Sequence, residues 1–201
     1  MLFDIADAKA TVIRMESQAN TFANGRAVSE QILHLDLNGK AVALPVAVVS
    51  DGENVRIYHS TWPLTGGHKL RGPVLPATTI PLPDVIRDYQ AALAAGDLEK
   101  IVATFEPDGE VREPSGGEFL YQGENEIRRI YQAMFQSGGG ILLDHCTVTD
   151  DGVRCAIEYN VVQWGKHKLP PQCGMAVYER SGNGKLRAAR IYDDVAPPAG
   201  A

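Results

Sequence analysis

The segment PLPDVIRDYQAALAAGDLEKIVATF, residues 81–105, determines the fold that we predict for this chain. Its apolar residues recur at helical spacing in two successive runs, Val85, Ile86, Tyr89, Ala92 and Leu93, then Leu98, Ile101, Val102 and Phe105. Gly96 favours an end to the first run, and Asp97 is a residue type that caps the start of a helix. The segment therefore predicts two consecutive amphipathic helices.

A third helix and a set of strands follow this segment. Residues 124–135 place Ile127, Ile130, Tyr131 and Met134 on one helical face, and glycines 138–140 end the run. Beyond it, Asp151-Gly152 and Asn183-Gly184 are hairpin turn signals between alternating strands. The order predicts an α+β fold in which a cone-shaped, curved antiparallel sheet carries three helices on its concave side.

The first 80 residues show strand patterns without helical periodicity. Asn24-Gly25, Asn38-Gly39 and Asp51-Gly52 predict the hairpin turns of an antiparallel meander. A stiff, proline-rich stretch, GPVLPATTIPLP, then separates the two halves. We expect a sheet-only unit over residues 1–72, a linker over 73–83 and a complete α+β domain over 84–201.

The two halves end in similar sequences. AVVSDGENVRIYHSTWP (47–63) aligns with AVYERSGNGKLRAARIYDDVAP (176–197), so that Ile57-Tyr58-His59 meets Ile191-Tyr192-Asp193. Two unrelated meanders can share such an ending by chance, and we favour a partial internal repeat. Leu33, Leu35 and Leu37 form the apolar face of the first meander, which we expect the second sheet to cover, giving an intrachain pseudo-dimer. Any face left uncovered would favour a homodimer.

Composition excludes several classes of function. A net charge of −6, from 19 basic and 25 acidic residues, argues against nucleic acid as the main partner. An uninterrupted apolar run of about 18 residues is missing, so no membrane span is predicted. The three cysteines, Cys146, Cys155 and Cys173, lack metal-binding spacing and are typical of reduced thiols in a cytoplasmic protein. We expect neither a metal nor a cofactor.

Two stretches carry a family resemblance: YQAALAAGDLEKIVATFEPDGEVREPSG (89–116) and QGENEIRRIYQAMF (122–135). Together they resemble bacterial ketosteroid isomerases, and the element order is similar to the nuclear transport factor 2-like superfamily, which includes SnoaL-like polyketide cyclases. The resemblance implies that Tyr89 donates a hydrogen bond to a dienolate oxygen, that Glu113 moves the proton and that Tyr131 supports Tyr89. The isomerases have Asp at the position of Glu113, and their second oxyanion acid has no counterpart in residues 173–177.

The last strand carries a further candidate. This chain resembles SnoaL-like cyclases at the last strand, where those enzymes have an acid that shuttles protons. The resemblance implies the same role for Asp193, beside Glu113. Four apolar residues are expected to support the pocket: Phe105, Met134, Trp164 and Ile191. His59, the counterpart of Asp193 in the first half, is expected to be a surface histidine.

The function that this pattern favours is cofactor-independent proton transfer, of isomerase or cyclase type, on a small apolar carbonyl compound such as a polyketide or a steroid. The alternative is a noncatalytic ligand-binding or dimerisation module with the same fold. Within enzymes, a dehydratase or epoxide hydrolase of the same superfamily is the runner-up.

Overall fold

The structure is a computed structural model, and it describes residue 5, residues 8–116 and residues 119–192. In chain order its elements are β1 (Thr11–Ala23), β2 (Arg26–Leu37), β3 (Lys40–Asp51), β4 (Asn54–Tyr58), α1 (Trp62–Thr65), α2 (Asp84–Ala95), α3 (Leu98–Thr104), β5 (Phe105–Arg112), β6 (Leu120–Gln122), α4 (Glu124–Met134), β7 (Ile141–Asp150), β8 (Arg154–Trp164), β9 (His167–Arg180) and β10 (Leu186–Ile191).

The N-terminal half forms a four-stranded sheet in the order β1-β2-β3-β4, with every neighbouring pair antiparallel. This confirms the predicted meander. Its turns place Asn38 and Gly39 at positive φ, as the Asn-Gly signal predicts. The one-turn helix α1 follows the sheet.

The C-terminal half forms a six-stranded sheet in the order β6-β5-β10-β9-β8-β7. The α+β class and the helices packed on the curved sheet are confirmed. The expectation of a wholly antiparallel sheet is wrong, because β5 and β10 run parallel. Hairpin turns set the direction of β7 to β10, whereas no hairpin joins β10 to β5, so local turn signals did not reveal how this pair runs.

The three C-terminal helices have the predicted positions. α2 ends at Gly96, which adopts a left-handed φ of 68°, and the Asp97 side chain caps α3 by accepting a hydrogen bond from the Lys100 amide at 3.1 Å. Their buried faces pack on the sheet through residues that include Ile86, Tyr89, Ile101, Ile127, Ile157 and Tyr178. Gly140 makes a close approach possible, since a Cβ there would overlap the carbonyl oxygen of Leu93.

The N-terminal sheet buries residues of β2 and β3 on both faces while β1 is largely exposed, and the leucine face is not the one that meets the second sheet. Leu33 and Leu35 are buried as predicted, but they cluster with Ile5 and with Leu64 of α1. The opposite face packs on the C-terminal sheet through Val28, Ala47, Val49, Tyr58, Ala156, Cys173, Met175, Val177 and Tyr192. The predicted covering of the leucine face by the second sheet is therefore wrong. Alternation shows which residues share a face, and it does not show what packs on that face.

Reciprocal ion pairs connect the two sheets. Arg190, from the C-terminal half, donates to both carboxylate oxygens of Glu30 at 2.7 and 2.9 Å. Arg56, from the N-terminal half, donates to both oxygens of Glu158 at 2.5 and 2.8 Å. Each carboxylate also accepts a tyrosine hydroxyl of the other half, from Tyr192 to Glu30 at 2.6 Å and from Tyr58 to Glu158 at 2.7 Å. Each half thus supplies one glutamate and one Arg-x-Tyr sequence. The arginine and tyrosine side chains of that sequence bind the glutamate of the other half, and we call this arrangement an Arg-x-Tyr clamp.

The strand register around Glu30 is the same as the register around Glu158. Ala47 lies opposite both Glu30 and Tyr58, and Met175 lies opposite Glu158 while its carbonyl accepts the Tyr192 amide at 2.8 Å. Position 47 therefore corresponds to 175, one residue earlier than the sequence alignment with Ala176 placed it. In a strand, a shift of one residue exchanges the two faces, which is why the register matters here.

The pseudo-dimer hypothesis predicts that residues 81–201, expressed alone, self-associate and melt at a lower temperature than the full chain, because the face around Met175 and Val177 loses its cover. Sedimentation and thermal melts of the fragment and the full chain measure this. A fragment that is monomeric, soluble and as stable as the whole chain would show that the first half contributes no packing.

Candidate functional site

A cavity of about 320 Å³ lies between the helices and the sheet of the C-terminal half. Much of its wall is apolar, with contributions from Leu93, Ile130, Ile141, Leu143, Val161 and Ile191. A cavity of this size and character is typical of a site for a small apolar molecule. The structure brings six of the predicted site residues to its wall: Tyr89, Glu113, Tyr131, Met134, Trp164 and Ile191.

Two buried tyrosines form the first polar group of the cavity. Helical spacing turns Tyr89 of α2 and Tyr131 of α4 toward the sheet, and their hydroxyl oxygens lie 2.5 Å apart. Burial raises the pKa of Tyr89 to about 12, although the hydrogen bond with Tyr131 acts in the opposite direction. Burial, and next the negative charge that an ionised Tyr89 would carry, raise the pKa of Tyr131 well above its usual value. Both phenols are therefore protonated hydrogen-bond donors near neutral pH.

Glu113 is the second polar group. It follows the end of β5, is half-buried, and shares the cavity wall with Pro114 and Ser115. Burial raises the pKa of the Glu113 carboxyl, while a hydrogen bond from Tyr121 and the nearby His68 imidazole partly oppose that effect. A carboxyl group with a raised pKa in an apolar cavity is a candidate acid-base group.

The third polar group is a pair of side chains, Gln90 of α2 and Tyr178 of β9. The Gln90 side-chain amide donates to the Tyr178 hydroxyl at 2.7 Å, and the Tyr178 ring packs against Tyr89 with 5.3 Å between ring centroids. These contacts hold the ring of Tyr89 from the sheet side and restrict its orientation. The arrangement gives the cavity a rigid donor group and a titratable carboxyl.

Phe105 and His59 lie away from the cavity wall. Phe105 does not form part of the described cavity wall; it packs edge-on against Tyr89, with 5.9 Å between ring centroids, so it supports the tyrosine from behind. Asp193 lies outside the described residues. His59 is buried rather than on the surface, with its Nδ1 3.1 Å from the Ser60 carbonyl oxygen, because it lies in a buried run, residues 58–61, that leads from β4 into α1.

Sequence reasoning missed His68, Tyr121 and Tyr178. The alternation of Ala176 and Tyr178 along β9, both in the core beneath the helices, was a usable signal for Tyr178. Tyr121 lies opposite Val111 in a strand of only three residues, too short to show a period. His68 comes from the loop after α1 in the other half of the chain, and no local pattern connects it with Glu113.

The described residues hold no cluster of three or more His, Cys, Asp or Glu side chains that would bind a metal ion. Burial, as the main cause, raises the pKa of Cys146 to about 11 and that of Cys155 to about 12, so both are protonated thiols near neutral pH. Over the part of the chain that the structure describes, none of the helices has the length and apolar character needed to span a bilayer.

Comparison with known proteins gives a family match. The SnoaL-like domain model matches residues 86–188. No curated protein matches the chain. Among solved structures, a protein from Sinorhizobium meliloti, provisionally named a polyketide cyclase, is 22% identical with a TM-score of 0.46, covering 55% of this chain and 94% of its own. An uncharacterised cystatin-fold protein from Novosphingobium aromaticivorans is 17% identical with a TM-score of 0.46, covering 53% and 93%. SalBIII, an epoxide hydrolase/cyclase-like enzyme of salinomycin pyran ring formation, is 15% identical with a TM-score of 0.45, covering 54% and 86%.

Proposed function

Because this chain belongs to the SnoaL-like domain family, we propose that it catalyses cofactor-independent proton transfer, of isomerase or cyclase type, on a small apolar carbonyl compound such as a steroid or a polyketide. The observation that carries the proposal is one apolar cavity lined by both a hydrogen-bonded tyrosine pair and a carboxyl with a raised pKa. Such a site pairs a donor for a developing oxyanion with a base for a proton α to the carbonyl.

The mechanism assigns each group one task. The Glu113 carboxylate removes a proton from the carbon next to the substrate carbonyl, and the electron pair moves to the carbonyl oxygen to form an enolate. Tyr89 donates a hydrogen bond to that oxygen, while Tyr131 donates to Tyr89 and so strengthens it as a donor. Glu113 then returns the proton to another carbon of the same conjugated system. When a ring is closed, the enolate carbon instead attacks a second carbonyl carbon of the substrate, and Glu113 returns the proton to the alkoxide oxygen that forms. No redox change occurs.

Burial suits both groups to this task. The pKa of Tyr89, at about 12, keeps its phenol protonated while it donates to the enolate. Burial also raises the pKa of Glu113, which makes its carboxylate a stronger base than an exposed glutamate. The hydrogen bond from Tyr121 opposes that rise.

A specific observation favours the noncatalytic alternative. On β9, Cys173, Met175 and Val177 turn toward the sheet interface, and the intervening Gly174 and Ala176 bring no polar side chain toward the helices. The second oxyanion acid of the isomerases therefore has no replacement on this stretch. Loss of one such donor costs about 10²–10³ in rate, which leaves a slow enzyme or a binding module.

One experiment separates the two functions. The full chain is incubated with a β,γ-unsaturated 3-ketosteroid, and formation of the conjugated enone is followed by its ultraviolet absorbance; binding of 2-naphthol, a planar phenol that mimics an enolate, is followed in parallel by fluorescence. Turnover with naphthol binding supports the enzyme. Naphthol binding without turnover of the steroid or of a polyketide-type β-diketone supports the binding module.

Replacing Tyr89 by phenylalanine is expected to lower kcat by at least about tenfold, since the enolate oxygen loses its direct donor. Tyr131→Phe is expected to have a smaller effect, because Tyr131 acts through Tyr89. Steady-state kinetics and thermal melts of both variants measure this. Equal loss of kcat in the two variants would argue against Tyr89 as the donor that meets the substrate.

We also infer that the first half is a partial repeat of the same domain. The shared register of Glu30 with Ala47 and of Glu158 with Met175, each beside an Arg-x-Tyr clamp, supports this inference. The three cysteines are buried and none of them forms a disulfide, which fits the reducing cytoplasm proposed for the protein.

A further inference from the structure

We propose that the N-terminal half completes the site of the C-terminal domain, with His68 as a positioning residue that stabilises the ionised carboxylate of Glu113. The proposal rests on the proposed function, in which Glu113 must be ionised to take a proton. It assigns the sheet-only half a role in the chemistry in addition to packing.

The first observation is the position of the imidazole. His68 stands at the wall of the same cavity as Glu113, although the two residues belong to different halves of the chain. The indole of Trp62, at the start of α1, stacks on the imidazole with 5.0 Å between ring centroids and 29° between ring planes. The exposed His68 side chain therefore has a defined place at the cavity mouth.

The loop that carries His68 is held by hydrogen bonds on both sides of the residue. The Thr61 hydroxyl donates to the Gly67 carbonyl at 2.8 Å and accepts the Lys69 amide at 2.9 Å. Further along, Arg71 donates to the Ile57 carbonyl at 2.8 Å, and its own carbonyl accepts the Cys173 amide at 2.9 Å. These bonds fasten the loop to both sheets.

The N-terminal half also supports the turn that follows Glu113. Gly116 donates its amide to the Glu113 carbonyl at 3.2 Å, and it adopts a φ of 93°. A Cβ on Gly116 would lie 3.1 Å from both the carbonyl oxygen of Ala43 and the ring of Pro45 in β3. The turn thus packs directly on the N-terminal sheet, so this half contacts Glu113's segment from β3 and from the His68 loop.

The charges around Glu113 explain what His68 does. Burial disfavours the Glu113 carboxylate, and Tyr121 and His68 favour it. The Tyr131 phenol on α4 also interacts electrostatically with Glu113, while Arg129 lies over the Tyr121 ring at 5.3 Å and pairs with Glu126. Within this set, His68 is the group that acts directly on Glu113 from the N-terminal half.

The test uses the full chain labelled with ¹³C at the glutamate side-chain carboxyl, with the Glu113 signal assigned by its loss in Glu113→Gln. His68→Gln is expected to raise the titration midpoint of Glu113 by about half a pH unit, because the carboxylate loses its favourable electrostatic interaction with His68. His34→Gln is the matched control, since His34 pairs with Glu16 on the N-terminal sheet, and no shift is expected. An unchanged midpoint in His68→Gln, or an equal shift in His34→Gln, would overturn the proposal.

Ketosteroid turnover supplies the second measurement. His68→Gln is expected to move the acidic limb of kcat/KM to higher pH by the same half unit. If the wild-type chain turns over neither the ketosteroid nor the β-diketone while the ¹³C midpoint still shifts in His68→Gln, the proposed function fails and the coupling of His68 to Glu113 stands. Turnover with an unshifted midpoint and acidic limb overturns the role of His68 alone.

Discussion

Replacing Glu113 by glutamine is expected to abolish proton transfer and to leave the fold intact. The amide has nearly the same shape as the carboxyl group, but it cannot take a proton from carbon. Loss of a general base costs on the order of 10²–10⁴ in rate. Steady-state kinetics with the ketosteroid measure the loss, and thermal melts establish that the variant is folded.

The pH dependence of kcat/KM provides a second test of Glu113 as the base. Glu113 works as a base in its ionised form, so kcat/KM of the wild-type chain falls as the pH decreases through the raised pKa of Glu113. The acidic limb therefore lies above the range of an exposed glutamate, and it disappears with the activity in Glu113→Gln.

Two variants control for structure and charge. Glu110→Gln makes the same change on the same strand, at a position that alternation turns to the other face, and kcat is expected to remain unchanged. Glu113→Asp, which restores the acid of the isomerases, is expected to retain turnover. If Glu113→Gln and Tyr89→Phe lower the melting temperature equally and ligand has no effect, both residues are structural.

The helices could be predicted from the sequence because their signals are local. The helical periodicity and the capping residues of α2 and α3 all lie within residues 84–104. Gly96 ends α2 and Asp97 caps α3, as expected. The parallel pairing of β5 with β10 depends on segments about 80 residues apart, with a helix and four strands between them. No local pattern encodes such a contact.

The site divides in the same way. Helical periodicity placed Tyr89 and Tyr131 on apolar helix faces, and the family resemblance implied that they are partners. His68 and Tyr121 were not, since a loop and a three-residue strand carry no period. The leucine face of β2 shows what alternation cannot predict. Alternation identified Leu33 and Leu35 as buried, but it did not identify the residues that pack on them, which are in α1 and at Ile5.

The ion pairs between the sheets predict the largest change in stability. Glu30 is fully buried and its partner Arg190 has a side chain only 12% exposed, so Glu30→Ala leaves the guanidinium with only its longer bond to Glu179, at 3.3 Å, and removes the acceptor of the Tyr192 hydroxyl. Removing one partner of a buried pair costs about 3–5 kcal/mol of the free energy of unfolding. Glu158→Ala is expected to cost a similar amount through Arg56 and Tyr58, because the two clamps have the same geometry.

Urea denaturation at pH 7 measures these costs, with Glu16→Ala as the control, since the exposed pair of Glu16 with Arg14 contributes little. The double variant Glu158→Met with Arg56→Met is expected to recover most of the loss, because no unpaired charge remains buried.

Burial alone would raise the pKa of Glu158, yet hydrogen bonds from Arg56, Thr147 and Tyr58 hold it below the usual 4.5. Its contribution to stability is therefore complete above about pH 4.5 and is lost as the pH falls through the lowered pKa, a decline that Glu158→Ala no longer shows. Single variants that unfold at the wild-type urea concentration would mean that the two halves are held together by apolar contacts alone.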